Sequence, residues 1–138
     1  FQTPDHVVVF TELANNAARI IPLDGRPHIS DNIRQFPGDS RGRWEGDTLV
    51  VETTNFTDRR RFQGSTGALH VVERYTATGP DHLLYEATIE DPNTFTRPWK
   101  MSMPLYRRVE ANAEIMEFRC VEFVEETLWG HLTKQPNE

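Results

Sequence analysis

The 138-residue chain predicts an all-β fold, an eight-stranded antiparallel meander closing into a lipocalin-like barrel or a barrel-like sandwich. Three observations point there. Apolar and polar residues alternate along most of the chain, with the period of a half-buried strand. Gly, Pro, Asn and Asp interrupt these stretches at short intervals, as hairpin turns require. A meander of this length most simply avoids exposed edges by closing on itself.

The elements follow in order. "HVVVFTE" (6–12) and "AARIIPL" (17–23) flank Asn15-Asn16, and Asn tolerates the left-handed backbone of a tight hairpin turn. "DGRPHISDNIRQFPGDS" (24–40) is rich in turn residues and predicts a long loop. Within it, Ser30 is placed to cap one helical turn through Gln35. "GRWE" (42–45) and "TLVVETT" (48–54) flank Gly46-Asp47, a two-residue hairpin signal. A polar connection, 54–67, leads to "LHVVERYT" (69–76), "HLLYEATIE" (82–90), "RPWKMSMPLY" (97–106) and "EIMEFRCVE" (114–122). A last segment, "VEETLWGHL" (124–132), spaces Val124, Leu128, His131 and Leu132 as on a short helix.

Composition narrows the function classes. A chain of this size forms one domain, here 1–138, and buries roughly 68% of the surface its unfolded form exposes. The net charge of −6 argues against nucleic acid as a partner, because phosphate binding needs a basic surface. Arg59-Arg60-Arg61 is the local exception and reads as a solvated loop. Lys100 and Lys134 are the two lysines among fifteen basic residues, a bias toward Arg that favours fixed, bidentate ion pairs. No apolar run is long enough for a membrane-spanning helix. The opening "FQTPDH" has neither a Met nor a leader pattern, which predicts that the chain begins inside a longer precursor. Cys120 is the single cysteine, so no internal disulfide forms. The five histidines lack the short spacing of a zinc pair, so no metal or cofactor is expected. Ser40 in "GDSRG" is not a nucleophile elbow. "NFT" at 55–57 fits a glycosylation sequon.

The blocks "GDSRGRWEGDTLVVETTNFTDR", "LHVVERYT" and "EDPNTFTRPW" resemble an uncharacterised family of bacterial proteins expected to be exported. The resemblance covers nearly the whole chain. It implies a periplasmic or secreted location and supports the strand blocks, without supplying a mechanism. Family members commonly read Cys-His-Glu near the end of the last strand, whereas this chain reads "CVEFVE". "GRW" is in addition similar to the Gly-x-Trp of lipocalin-like first strands.

Strand phase then selects candidate site residues. Alternate residues share a face. Leu83, Tyr85, Ala87 and Ile89 form one apolar face, continued by Asp91. Trp99, Met101, Met103 and Leu105 form the next, begun by Arg97. Folding about Thr94 pairs Ile89 with Trp99, Ala87 with Met101, Tyr85 with Met103 and Asp91 with Arg97. In 69–76 the more apolar face holds Leu69, Val71, Glu73 and Tyr75, and pairing across "ATGPD" sets Glu73 beside Tyr85. A one-residue slip would instead turn His70 and Arg74 inward. Met116, Phe118 and Cys120 face inward in the last strand, with Glu122 continuing that face.

The expected barrel mouth therefore holds Asp91, Arg97, Trp99 and Glu122, with Glu73 deeper. A noncatalytic binder of a small, partly apolar molecule would line its pocket with Tyr85, Trp99, Met101 and Met103 and anchor a polar group on Arg97. An acid–base enzyme (a lyase, isomerase or hydrolase) would use Glu73 as the base, assisted by Asp91 or Glu122. An exported structural or interaction module is the third alternative. Each residue also has a plain structural explanation. Asp91 and Arg97 would pin a loop, Glu73 would be the buried partner of an arginine, and Trp44, Trp99 and both methionines would pack the core.

Overall fold

The computed structural model describes residues 1–12, 18–59 and 62–115. They form seven strands: β1 His6–Phe10, β2 Ala18–Pro22, β3 Asp39–Glu45, β4 Thr48–Thr54, β5 His70–Gly79, β6 His82–Glu90 and β7 Trp99–Tyr106. A 3-10 turn spans Phe62–Gly64. The expected strand 114–122, with Met116, Phe118, Cys120 and Glu122, extends beyond the described residues. So do the helix expected over 124–132 and the Asn15-Asn16 turn.

The fold is all-β and antiparallel, in two sheets. β1 and β2 form one, and β3-β4-β5-β6-β7 form the other in sequence order. Among the described residues these sheets do not close into a barrel, and there are seven strands rather than eight. The physical reason lies at β2 and β3. Instead of joining edge to edge, β2 turns side chains onto a face of the larger sheet. Ile21 is fully buried with Leu49 and Val51, and Leu23, Val7, Val9 and Tyr75 pack around them. Gly42 permits this approach, since a Cβ there would lie 2.7 Å from Ile21 Cγ2 and from Leu23 Cδ2.

Element boundaries follow hydrogen bonding more than composition. β3 starts at Asp39 rather than Gly42, because Asp39, Ser40 and Arg41 pair with Thr54, Thr53 and Glu52. The Gly46-Asp47 hairpin forms as expected, with Gly46 at φ +59° and Glu45 opposite Thr48. β5 runs on through Gly79 with a bulge between Ala77 and Gly79, so the turn shrinks to Pro80-Asp81. β4 is an interior strand: Leu49, Val50 and Val51 are buried in succession, which needs cover on both faces. Fully burying each such side chain contributes about 1.5–3 kcal/mol.

A second core lies toward the far end of β5 and β6, where Phe56, Leu69, Ala87 and Ile89 are buried against Val71, Phe95, Trp99 and Met101.

The long loop contains no helix at Ser30. A turn forms there, with the Ile33 amide donating to the Ser30 carbonyl at 2.9 Å. The buried Asn55, at φ 57°, organises the loop. Its Nδ2 donates to the carbonyls of Ile29, Ser30 and Ile33 at 3.3, 3.1 and 3.0 Å, and its Oδ1 accepts from the Thr54 hydroxyl at 2.6 Å. Asp39 anchors the loop's other limb, meeting His28 Nδ1 at 2.7 Å and accepting from the Ile29 amide at 3.2 Å.

Candidate functional site: a buried Arg–Glu–Tyr cluster beside an open apolar face

Register sets the geometry. Across the five-stranded sheet, Ser40, Thr53, Val71, Ile89 and Trp99 form one row on one face. Gly42, Val51, Glu73, Ala87 and Met101 form the next row, followed by Trp44, Leu49, Tyr75, Tyr85 and Met103. β6 and β7 pair as expected, Ile89 with Trp99, Ala87 with Met101 and Tyr85 with Met103. The inward phase of Leu69, Val71, Glu73 and Tyr75 also holds. The slipped alternative fails, since His70 meets Glu52 at 2.8 Å and Arg74 meets Glu45 at 2.9 Å on the opposite face.

One register detail differs. Glu73 lies opposite Ala87, and Tyr85 lies opposite Tyr75. The longer β5 shifts the pairing by two residues. A shift of two keeps every side chain on its face, so Tyr85 still reaches Glu73 diagonally.

Glu73 is 6% exposed and engaged at both carboxylate oxygens. Its Oε1 accepts from the Tyr75 hydroxyl at 2.9 Å and the Tyr85 hydroxyl at 3.1 Å. Its Oε2 forms an ion pair and hydrogen bond with Arg19 Nη2, reaching across from β2. Arg19 also donates from Nη2 to Thr53 Oγ1 at 2.6 Å and from Nε to Ser40 Oγ at 2.9 Å. Ser40 and Thr53 hydroxyls lie 3.1 Å apart, which completes the cradle.

Electrostatics fix the protonation of the donors. Burial works against the Arg19 charge, but the hydrogen bond and attraction from Glu73 outweigh it, and its pKa rises. Burial, followed by the adjacent Glu73 charge, pushes both Tyr75 and Tyr85 well above the ordinary phenol value. Both tyrosines therefore stay protonated and donate.

Asp91 and Arg97 do not pair. Asp91 is 1% exposed and serves the neighbouring loop. Its Oδ2 accepts from the Thr66 amide at 2.5 Å and the Thr66 hydroxyl at 3.0 Å, while its Oδ1 accepts from the Asn93 amide at 2.9 Å. Burial alone would raise the Asp91 pKa, but these donors outweigh it and hold it below the ordinary value. Arg97 is exposed and makes no ion pair among the described residues. The expected mouth is instead covered at Trp99, which stacks on Phe62 (centroids 6.2 Å apart, planes at 14°) and meets Phe95 edge-on at 5.9 Å.

The same face opens at the other end of the sheet. Met101 is half-buried, whereas Met103, Leu83 and Leu105 are 38, 40 and 37% exposed. Leu83 lies directly opposite Leu105, next to the Tyr85–Met103 pair. These side chains run to a depression of about 330 Å³ at the β5–β6 turn, whose lining includes Pro80, Leu83, Leu105 and Tyr106.

Of the expected site residues, the structure brings Glu73 and Tyr85 together, with Met101 and Met103 alongside them in register. Asp91 and Trp99 sit at the covered end, and Glu122 is outside the described residues. Sequence reasoning missed Arg19, Ser40 and Thr53. A signal existed: Arg19 shares a β2 face with Ile21, so it is a charge on an apolar face, as Glu73 is. Among the described residues no group of three or more His, Cys, Asp or Glu is placed to hold a metal, and no helix is long and apolar enough to cross a membrane.

Fold and site together define a two-sheet antiparallel β-protein with a buried guanidinium–carboxylate–phenol cluster beside a half-open apolar face. Comparison with protein-family models, curated proteins and solved structures gives no match.

Proposed function

We propose that the protein binds a small, partly apolar molecule on the open face of β6 and β7. The observation that carries this reading is the contiguous exposure of Leu83, Met103 and Leu105 on one face, beside the Tyr85 ring and leading into the depression. Grouped exposed apolar side chains next to a concavity favour a ligand over open water. Tyr85 gives the face an ordered edge, since its hydroxyl is held by Glu73. The net charge of −6 favours a neutral or cationic molecule over nucleic acid.

The acid–base reading has less support. Both Glu73 oxygens are already engaged and the residue is 6% exposed, whereas a base must come within hydrogen-bond reach of its substrate. Glu73 therefore enters the proposal as the group that orients Tyr85. Arg97 and Trp99 stand at the far end of β7, away from the depression. Export to the periplasm or beyond belongs to the same proposal and rests on the block resemblance.

The test is a fragment-library titration followed by amide chemical shifts. Binding fragments should shift Leu83, Tyr85, Met103 and Leu105 together, and Met103→Glu should weaken them at least about tenfold, the loss of one well-packed apolar contact. Arg97→Ala should leave them unchanged. Shifts confined to the Trp99 end, or none, would overturn the reading.

A further inference from the structure

The Arg19 cradle has the composition of a receptor for a planar cation. Glu73 supplies negative charge, Thr53 and Ser40 supply hydroxyl acceptors, and all three are nine-tenths buried or more. They contact two different nitrogens of one guanidinium, Nη2 and Nε. Tyr75 and Tyr85 hold the carboxylate from its other oxygen. Ser40, Thr53 and Glu73 all belong to the five-stranded sheet, so the cradle is built without the β1–β2 hairpin. Arg19 alone comes from that hairpin, which makes it a tethered occupant of a site that the larger sheet provides.

We propose that Ser40, Thr53 and Glu73 form a guanidinium-selective binding site occupied by the chain's own Arg19, and that it takes free guanidinium or amidinium compounds once Arg19 is removed. Selectivity follows from shape. A guanidinium is flat and presents donors in a fixed fork, so it can reach the carboxylate and both hydroxyls at once. An ammonium is a compact, strongly hydrated point charge that fits neither the spacing nor the partly dry setting. The inference is independent of the ligand face on β6 and β7, because it concerns the cradle around the other oxygen of Glu73.

The experiment uses the full chain carrying Arg19→Ala, with methylguanidinium chloride as the probe at millimolar concentrations, far below denaturing ones. Melting temperature should rise saturably, by about 4 °C when the probe is tenfold above its dissociation constant. Wild type, whose site is filled, should show no rise. Arg19→Ala/Glu73→Gln should lose the response, and ammonium chloride at matched ionic strength should not reproduce it. A flat response in Arg19→Ala, or an equal rise with ammonium, overturns the proposal. Should Arg19→Ala fail to fold, wild type provides the reading through the Nη2 protons of Arg19. Held by Glu73 and Thr53, they should exchange at least tenfold more slowly than the Nη protons of the exposed Arg97, and equal rates would overturn the assignment.

Discussion

Replacing Arg19 with Met isolates the contribution of the buried ion pair. The Met side chain keeps much of the apolar stem of Arg, so the loss reports charge and hydrogen bonding more than a cavity. What remains is a carboxylate 6% exposed, with two tyrosine hydroxyls but no counter-charge. Removing one partner of a buried pair costs about 3–5 kcal/mol, because the other charge is left uncompensated. The Arg19 side chain is 25% exposed, so water reaches part of the gap and the lower figure applies, about 3 kcal/mol. For a domain of this size that is a fall of about 9 °C in melting temperature. Urea unfolding followed by tryptophan fluorescence measures it directly. Glu73→Gln adds the second arm, since a Gln oxygen still accepts from both tyrosines. The double variant Arg19→Met/Glu73→Gln has no uncompensated charge and should recover about 2 kcal/mol relative to the sum of the singles. If Arg19→Met unfolds within about 0.5 kcal/mol of wild type, as a surface substitution does, the pair is not holding the sheets together.

Three further outcomes follow from the same geometry. Gly42→Ala should destabilise by about 1–3 kcal/mol through the 2.7 Å approaches to Ile21 and Leu23, and hydrogen exchange should show β1 and β2 losing protection before β5 and β6. Tyr75 and Tyr85 have folded pKa values above their unfolded one, so their contribution is complete below pH 10 and fades as pH rises past it. Phenolate absorbance should show two tyrosines ionising late, and the double substitution to Phe should abolish that phase. Asp91 is shifted the opposite way, below 3.8, so its contribution is present above that pH and fades as pH falls through the lower folded value. Asp91→Asn should cost about 1–3 kcal/mol at neutral pH and flatten the acid limb of urea midpoints below about pH 4.

Local pattern carried the strands and their faces. The alternation in "HLLYEATIE" and "RPWKMSMPLY", folded about Thr94, placed Tyr85 opposite Met103, and that register forms. The same logic put Glu73 on the inner face and erred by two residues across "ATGPD". A bulge inside β5 has no sequence signature distinct from a wider turn. Asp91 and Arg97 were misjudged for a different reason. Strand phase places two residues on one face, but it cannot know that a loop twenty-five residues earlier, at Thr66, offers Asp91 its amide and hydroxyl. Arg19 shows the same limit. Its partner is fifty-four residues away in another sheet, and only the packing of β2 over Gly42 brings them together.

Asn55 has a consequence for how this chain is produced. In "NFT" its side-chain nitrogen is the atom that an oligosaccharyl transferase would modify. In the fold that nitrogen donates to three carbonyls of the 24–38 loop and the residue is 2% exposed. A sugar attached there during translocation in a eukaryotic secretory host would occupy the space the loop must fill. The two events are mutually exclusive on one chain: a molecule glycosylated before folding cannot seat residues 29–33, and a folded one presents no acceptor. Expression in such a host would divide the product into a native unmodified fraction and a modified fraction arrested with its loop open.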